Sequence, residues 1–364
     1  MSIMQSLKQS LLGRASPALI GLDISSSAVK LVELSKRGDK YHLETYAIEP
    51  LPLNAVNDKQ ISDPKIVGEV IARAVSRSGT HQKQAAIAVA GASVITKTIQ
   101  MPAALSENDM EEQIKAEADQ YIPYPIEEVS LDFEVTRTNE KNADMADVLL
   151  AACRKEQVEH RCAALEIAGL VPKVVDIETF ALENACQFLR HQMPDQGSNK
   201  TIVIADVGAT NTSVLVLHDH RVIFTREQAF GGRQLTEEIM RHYSMSFEEA
   251  ARAKRNGTLP ETYQSEVLMH FIADMAQQVD RSLQFFFSAA SQYNSVDQII
   301  LAGGCAHIPG VDASIQERLQ IPTVIAAPFA QMSLPSKQKS MLARDEATLL
   351  AACGLALRSF DEER

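Results

Sequence analysis

Two aspartates occupy the same place in two similar stretches of the chain. Asp23 lies in the stretch ALIGLDISSSAVKLVEL, and Asp206 lies in the stretch TIVIADVGATNTSVLVL. In each, an apolar run meets the aspartate, then small residues, then a second apolar run. This order predicts a β-hairpin whose tip exposes backbone N–H groups, which phosphate oxygens can approach closely where side chains are small. The alternative is two unrelated buried hairpins whose aspartates bond to their own turns.

The charged residues of these hairpins suggest metal and phosphate chemistry. A carboxylate can hold Mg²⁺, often through water, while a lysine neutralises phosphate oxygens. Lys30 lies on the returning strand of the first hairpin, where alternation brings its ammonium back over the tip. We therefore predict that Asp23 and Asp206 hold Mg²⁺ through water and that Lys30 contacts phosphate. The second copy carries Ser213 in place of Lys30, and the alternative makes Lys30 a solvated surface lysine.

A strand that ends in two glycines is a third candidate element. The apolar run Ile299–Ala302 leads into Gly303 and Gly304, and His307 follows. Two glycines at a strand end allow a flat ring or a ribose to lie against the backbone, although most such pairs are ordinary turns. We expect His307 to contact backbone or nucleotide rather than to act as a base. The three elements in this order predict two lobes that grip one nucleotide.

The composition is that of an ordinary globular chain. At 364 residues it is long enough for two lobes or about two to three domains. The formal net charge of −12 argues against a nucleic-acid partner or an anionic membrane surface. Five cysteines without a CxxC pair indicate a reduced, cytosolic protein. No apolar run is long enough to span a membrane, although Ile3, Leu7 and Leu11 could form a short amphipathic foot.

Several further segments must position these residues. The block from Ser93 to Arg154 reads as strand, helix, strand and strand, which we interpret as an insertion into the first lobe. Pro194–Lys200 is the clearest linker. His218–His220 is predicted as a hairpin tip, with a metal site as the weaker alternative. A long helix at about Tyr263–Tyr293 is expected to bury Phe285–Phe287 in the core.

In their order along the chain, these motifs resemble those of the actin/Hsp70/sugar-kinase ATPase superfamily. The two hairpins, Gly231-Gly232 and the strand end Leu301–Gly304 are similar to its phosphate-1, phosphate-2 and adenosine motifs. Within that superfamily the chain resembles the PilM family of type IV pilus assembly, which is related to the division protein FtsA. The residues that carry this closer resemblance are Leu22–Leu34, Tyr121–Pro125, Ala168–Pro172, Val175–Ala181, and Glu248–Ala250 with Lys254.

The resemblance implies an α/β fold of the actin-like ATPase type, with two lobes that each contain a central mixed sheet. The first lobe would comprise subdomain 1A, at residues 1–92 and 155–199, and an FtsA-type insertion, subdomain 1C, at residues 93–154. The second lobe would comprise subdomain 2A, at residues 200–233 and 263–364, and subdomain 2B, at residues 234–262. The last part of 2A would include a return helix.

The resemblance further implies ATP with Mg²⁺ in the cleft between the lobes. Members of the superfamily use a Glu or Gln to orient the attacking water, and here either Ile177 or Glu178 aligns with that catalytic position. We therefore expect weak or no ATPase activity, with ATP as a slow-turnover conformational ligand. The implied nucleotide-binding residues are, on the phosphate side, Asp23, Ser25, Ser26, Ser27, Lys30, Asp206, Gly208, Ala209, Thr210, Asn211 and Thr212, and, on the adenosine side, Gly232, Lys254, Gly303, Gly304 and His307.

The resemblance also implies protein partners. A groove at the 1A/1C junction would bind the N-terminal cytoplasmic peptide of the inner-membrane protein PilN, and other inner-membrane and motor proteins of the type IV pilus are further expected partners. The acidic run Asp361–Glu363 does not favour anionic lipid, so we expect a cytoplasmic protein held at the inner membrane through a partner. Self-association into an FtsA-like filament is one alternative. A small-molecule kinase is another, but it needs a general-base aspartate beside a substrate pocket, and no such motif is evident.

Overall fold

A computed structural model of the chain describes residues 19–57, 59–138, 144–334 and 339–361. The predicted amphipathic foot at Ile3, Leu7 and Leu11 and the last residues of the acidic tail lie outside this part. The described residues form two lobes, each built on a five-stranded mixed sheet, and a three-stranded sheet is inserted into the first lobe. The α/β class and the two-lobed architecture expected from the sequence are confirmed.

The first lobe starts with three antiparallel strands and continues through a helix into a parallel strand. In chain order its elements are β1 (Ile20–Ile24), β2 (Ala28–Arg37), β3 (Lys40–Pro50), β4 (Val56–Asn57), β5 (Gln60–Ile61), α1 (Pro64–Ser78) and β6 (Gln84–Val89). Helix α1 begins after Asp63, whose carboxylate accepts a hydrogen bond from the Lys65 N–H, and ends at Gly79 with φ +71°. The parallel pairing of β6 with β1 requires a crossover, which α1 provides.

An antiparallel three-stranded sheet interrupts the first lobe after β6. Its elements are β7 (Val94–Pro102), α2 (Glu107–Glu117), β8 (Val129–Thr138) and β9 (Met145–Arg154), in the sheet order β7-β9-β8. The Ser106 hydroxyl caps α2 by accepting a hydrogen bond from the Asp109 N–H, and α2 packs Met110 and Ile114 into a small core with the sheet. The predicted order of strand, helix, strand and strand is confirmed.

The chain returns to the first lobe through α3 (Lys155–Ile167), β10 (Val171–Ile177) and α4 (Glu178–Ala185). Because β10 pairs in parallel with β6, the sheet order is β10-β6-β1-β2-β3. Helices α1 and α3 pack closely at Gly68, where a Cβ would come 2.7 Å from the Ile167 side chain. The segment predicted as a linker, Pro194–Lys200, contains an irregular turn in which Asp195 and Gln196 adopt positive φ before the second lobe begins.

The second lobe repeats the arrangement of a hairpin beside a parallel strand. Its elements are β11 (Thr201–Val207), β12 (Thr212–His218), β13 (Arg221–Gln228), α5 (Gly232–Tyr243), α6 (Phe247–Asn256), α7 (Met269–Ala289), β14 (Gln298–Ala302), α8 (Val311–Leu319), β15 (Thr323–Ile325), α9 (Lys339–Asp345) and α10 (Leu350–Ala356). The sheet order is β13-β12-β11-β14-β15, with β11 antiparallel to β12 and parallel to β14. The last helix, α10, packs on the first lobe, where Gly21 and Gly354 allow close backbone contact with β1 and α4.

One prediction about the core is wrong. Of the three consecutive phenylalanines on α7, Phe286 is fully buried, whereas Phe285 is 51% exposed. The Arg226 guanidinium lies over the Phe285 ring, 3.6 Å from its centre. Successive side chains point about 100° apart around a helix, so three in a row cannot all face one core.

The structure bears on a membrane-spanning helix and on the predicted hairpin tip at His218–His220. None of the helices in the described ranges has the length and apolar character needed to cross a membrane. Strand β12 ends at His218 and β13 begins at Arg221, so the hairpin tip predicted between them is confirmed. Within the same described ranges, no group of three His, Cys, Asp or Glu side chains could hold a metal ion, at this tip or elsewhere.

Candidate functional site

The tips of the two predicted hairpins meet in the cleft between the lobes. Backbone hydrogen bonds donated by the N–H groups of Ser25 (3.1 Å) and Gly208 (2.9 Å) close the β1–β2 and β11–β12 tips. The Thr210 hydroxyl of the second tip donates to the Ser26 hydroxyl of the first at 2.9 Å. The residues predicted to approach phosphate are therefore in direct contact across the lobes. The other predicted residues of the tips are Ser27, Ala209 and Asn211.

A partly buried cluster of charge adjoins the tips. Asp23 and Lys30 are paired residues of β1 and β2, and the Lys30 ammonium lies 2.8 Å from the Asp23 carboxylate. Asp206, at the end of β11, interacts electrostatically with both. Burial lowers the pKa of Lys30, but Asp23 and Asp206 more than offset this effect, so the pKa lies above its ordinary value. Burial raises the pKa of Asp206, and Lys30 compensates only in part.

The N-terminus of α5 supports the second tip. The N–H groups of Gly232 and Arg233 donate to the carbonyl oxygens of Gly208 and Ala209 at 3.0 and 2.7 Å. This close approach requires glycine at position 231, because a Cβ on Gly231 would come 2.6 Å from the Gly208 oxygen. Gly231 and Gly232 therefore allow the N-terminus of α5 to pack against the second tip and hold it in place.

Two further predicted residues brace this part of the site with their side chains. The Lys254 ammonium, from α6, donates to the Gly232 carbonyl at 2.8 Å and to the Thr236 hydroxyl at 2.6 Å. Burial lowers the pKa of Lys254. The Thr212 hydroxyl, which is 1% exposed, donates to the Phe230 carbonyl at 2.9 Å. Thr212 therefore uses its hydroxyl within the second lobe, and only its backbone belongs to the tip.

The second diglycine lies against Asp206. Gly303, at φ +83°, is placed so that a Cβ would come 2.7 Å from the Val207 carbonyl carbon and closer still to the Asp206 carboxylate. Around Gly304 an added Cβ would meet no atom within 4 Å, so its backbone is open. The His307 Nε2 is buried without a hydrogen-bond partner in the described part of the chain, and burial lowers the pKa of this imidazole. The open backbone at Gly304 leaves room for a flat group.

A second charged group lies near the first, and of its three members only Glu178 was named from the sequence. Glu178, the first residue of α4, has its carboxylate 2.8 Å from the Lys59 ammonium, which also lies 3.1 Å from Glu227 on β13. Burial raises the pKa of Glu178, Lys59 lowers it in part, and Asp23 raises it. Glu178, the one residue named from the sequence for a catalytic role, is therefore already paired. Neither Lys59, in a loop, nor Glu227, within a strand, belongs to a motif that could have identified it.

Comparison with known proteins places this architecture in a family. Residues 21–360 match the family of the type IV pilus assembly protein PilM. A solved structure of the PilM-PilN type IV pilus biogenesis complex is similar over 95% of this chain and 100% of the compared chain, with a TM-score of 0.79 and 26% identity. The crystal structure of the ethanolamine utilization protein EutJ from Carboxydothermus hydrogenoformans is similar over 94% of this chain and 89% of that one, with a TM-score of 0.53 and 16% identity.

These comparisons confirm the actin-like ATPase fold that the motifs implied. The likeness to EutJ concerns the fold alone. The match to the PilM family covers almost the whole of the described chain, including both hairpins, the inserted sheet and the last helix. The chain therefore belongs to the PilM family of type IV pilus assembly proteins.

Proposed function

We propose that this chain is an ATP-binding, actin-like scaffold of type IV pilus assembly. The observation that carries the proposal is the meeting of the two hairpin tips beside Asp23, Lys30 and Asp206. The phosphates of ATP would lie against the N–H groups of both tips, and Lys30 would neutralise phosphate oxygens. Mg²⁺ would be held by Asp23 and Asp206 through water. Two carboxylates are enough for this ion, because phosphates and water complete its coordination shell.

The adenosine would lie along the backbone of Gly303 and Gly304. The open backbone at Gly304 supports this placement, and His307, three residues further on, would border the same side. Gly232 and Lys254 would border the same side. On the phosphate side, the proposed contacts are Ser25, Ser26, Ser27, Gly208, Ala209, Thr210, Asn211 and the backbone of Thr212.

We propose that ATP acts mainly as a conformational ligand. A general base needs a free carboxylate or imidazole within reach of the attacking water. Glu178, the candidate for that role, is ion-paired with Lys59 at 2.8 Å, and Ile177 beside it carries no polar group. We therefore expect weak or absent ATPase activity.

The partner we propose is the N-terminal cytoplasmic tail of PilN, bound in a groove between the first-lobe core (subdomain 1A) and the inserted sheet (subdomain 1C). The likeness over 95% of this chain to a PilM-PilN complex supports it. Within the inserted sheet, two half-buried rings could form its side of such a groove: the Arg154 guanidinium lies 4.8 Å from the centre of Tyr124, and the Lys97 ammonium 4.9 Å from that of Tyr121. Such a partner would hold the chain at the inner membrane.

Binding of Mg-ATP can be measured by titration calorimetry. We expect Asp23→Asn and Asp206→Asn each to weaken the affinity by about tenfold, since each removes a charge-assisted contact worth roughly 1.5–3 kcal/mol. Asp219→Asn, at the exposed tip between β12 and β13, is the control and should leave the affinity unchanged. If neither Asp23→Asn nor Asp206→Asn weakens the binding of Mg-ATP, the assignment of the nucleotide site is wrong.

The partner can be tested with a fluorescent peptide of the PilN N-terminus and fluorescence anisotropy. Tyr124→Ala should weaken binding by removing a ring proposed to line the groove on the side of the inserted sheet, whereas Phe285→Ala, which removes an exposed ring in the second lobe, should not. Crosslinks from the peptide should map to residues 93–154 and the adjoining first-lobe core. Crosslinks confined to the second lobe would reject the groove.

A further inference from the structure

The Lys59 ammonium is the centre of an ion-pair bridge between the two lobes. Its partners are Glu178 of α4, in the first lobe, at 2.8 Å, and Glu227 of β13, in the second lobe, at 3.1 Å. The three side chains are only 14%, 22% and 13% exposed. Because bulk water screens them little, this bridge couples the lobes more strongly than a surface ion pair would.

The backbone of Lys59 is fixed to the first lobe. The Arg161 guanidinium, which is 2% exposed, donates to the Lys59 carbonyl at 2.6 Å and to the Ala88 carbonyl at 2.8 Å. A neighbouring residue of α3, His160, contacts the Ile61 carbonyl through Nδ1 at 3.1 Å. Lys59 itself adopts φ +60°, a conformation that is uncommon for a side-chain-bearing residue. Its ammonium therefore moves with the first lobe, and its bond to Glu227 resists opening of the cleft.

The second lobe approaches this lysine through a gap in the first. Gly91, just after β6, leaves room for Glu227: a Cβ there would come 3.3 Å from its Oε1 and 2.9 Å from the Thr179 methyl group. The other carboxylate oxygen of Glu227, Oε2, is buried without a hydrogen-bond partner among the described residues. Lys59 is thus the cation that stabilises this carboxylate in the structure. Burial lowers the pKa of Lys59, but the two carboxylates raise it by more, so the amine stays charged.

We propose that Lys59 is a positioning residue that sets the angle between the lobes and so slows nucleotide release. This inference rests on the proposed nucleotide site, because the Lys59 bridge and the hairpin tips close the same cleft. Without the ammonium, the Glu178 and Glu227 carboxylates would face each other across the lobes and repel. Opening of the lobes would separate the two tips, and with them the contacts proposed for the phosphates.

The first test is a charge swap read out by nucleotide dissociation. A fluorescent ATP analogue bound with Mg²⁺ is chased with excess ATP in a stopped-flow instrument. Lys59→Glu should raise the dissociation rate by about tenfold, a typical coupling between contacting charges. Adding Glu227→Lys restores two carboxylates and one ammonium to the bridge and should return the rate to near that of the parent chain. Lys65→Glu, an exposed charge reversal on α1, should change little.

If circular dichroism shows that Lys59→Glu does not fold, uncharged variants replace it. Lys59→Met, Glu227→Gln and their combination form a double-mutant cycle, and the effects should be strongly non-additive if the two side chains act through each other. Lys59→Arg keeps the charge and should preserve slow release. Additive effects, or a charge swap that restores nothing, would overturn the proposal.

The second test needs no nucleotide and separates the two ideas. The Ser26 and Thr210 hydroxyl oxygens are 2.9 Å apart, so Ser26→Cys with Thr210→Cys places two thiols within reach of a disulfide when the cleft is closed. With oxidised glutathione as the oxidant, Lys59→Met in this background should slow disulfide formation several-fold. If the parent chain binds no nucleotide but Lys59→Met still slows disulfide formation, the proposed nucleotide site is wrong, whereas the role of Lys59 in holding the lobes together is supported. If the parent chain binds nucleotide and Lys59→Met changes neither the rate of nucleotide dissociation nor the rate of disulfide formation, the proposed role of Lys59 is wrong.

Discussion

Gly303→Ala is the sharpest structural perturbation of the candidate site. Gly303 has φ +83° and ψ 176°, a conformation that residues with a side chain reach only at a cost of about 1–3 kcal/mol. The added methyl group would also come 2.7 Å from the Val207 carbonyl carbon and closer to the Asp206 carboxylate. Both of those atoms belong to the end of a central strand, and overpacking of such a site costs about 1–3 kcal/mol more. We expect a total loss of about 2–6 kcal/mol in the free energy of unfolding.

Gly310 is an uncrowded glycine at positive φ that serves as a comparison. Its ψ of 8° is easier for alanine to adopt than the ψ of 176° at Gly303, so the difference between the two variants contains the crowding together with the extra backbone strain. Gly310 has φ +76°, but a Cβ there would meet nothing within 4 Å, so Gly310→Ala should cost only about 1 kcal/mol. Urea unfolding followed by circular dichroism measures both variants, and Mg-ATP titration tests whether Gly303→Ala also weakens the proposed site by displacing Asp206. The reasoning is refuted if Gly303→Ala costs no more than Gly310→Ala.

Three further predictions concern stability. Arg358→Met leaves the Asp176 carboxylate, whose side chain is 3% exposed, without the guanidinium 2.7 Å away; we expect a loss of about 3 kcal/mol in urea titrations, which Asp176→Asn in the same chain should partly recover. Burial raises the pKa of Glu346 from 4.5 to about 7, so the folded state binds more protons than the unfolded state between these values, and stability falls as pH rises through that window. Glu346→Gln should remove this pH dependence and should raise the free energy of unfolding at pH 8 by about 1–2 kcal/mol, after allowance for partial exposure. Thermal melts of the variant and the parent chain from pH 4.5 to 8 measure it, and the same fall of stability with pH in both would contradict it. Phe286→Ala should cost about 4 kcal/mol and Phe285→Ala less than about 1 kcal/mol, so equal losses would refute the assignment of core and surface on α7.

The two hairpins could be predicted from the sequence because their signals are local. Apolar runs indicate the strands and small residues indicate the tips. Alternation along β2 predicts that Lys30 returns over the first tip, and the structure places its ammonium 2.8 Å from Asp23 on the same hairpin. The contact between the tips is not a local property. Ser26 and Thr210 are 184 positions apart, and only the order of the motifs, together with the family resemblance, predicted that they share a cleft.

The Lys59 bridge could not be predicted, because nothing in its neighbourhood signals it. Lys59 lies in a short turn, and its two partners stand 119 and 168 positions further along the chain. A positive φ is a signal only when the residue is Gly, Asn or Asp, and lysine is none of these. The same limit explains the error at Phe285: a run of three aromatic residues indicates a core, but the direction of each side chain depends on what the helix packs against.

The paired hairpins differ in charge, and this difference has a physical consequence for the proposed site. Lys30 stands opposite Asp23 in the first hairpin, whereas Ser213 stands opposite Asp206 in the second. The Lys59 bridge adds two carboxylates and one ammonium, so the two aspartates, two glutamates and two lysines of these clusters together carry four negative and two positive charges before any phosphate enters. A triphosphate would therefore need a divalent cation to avoid repulsion. Since a second lysine would compete with that cation for Asp206, we expect the first hairpin mainly to neutralise phosphate and the second mainly to hold the metal.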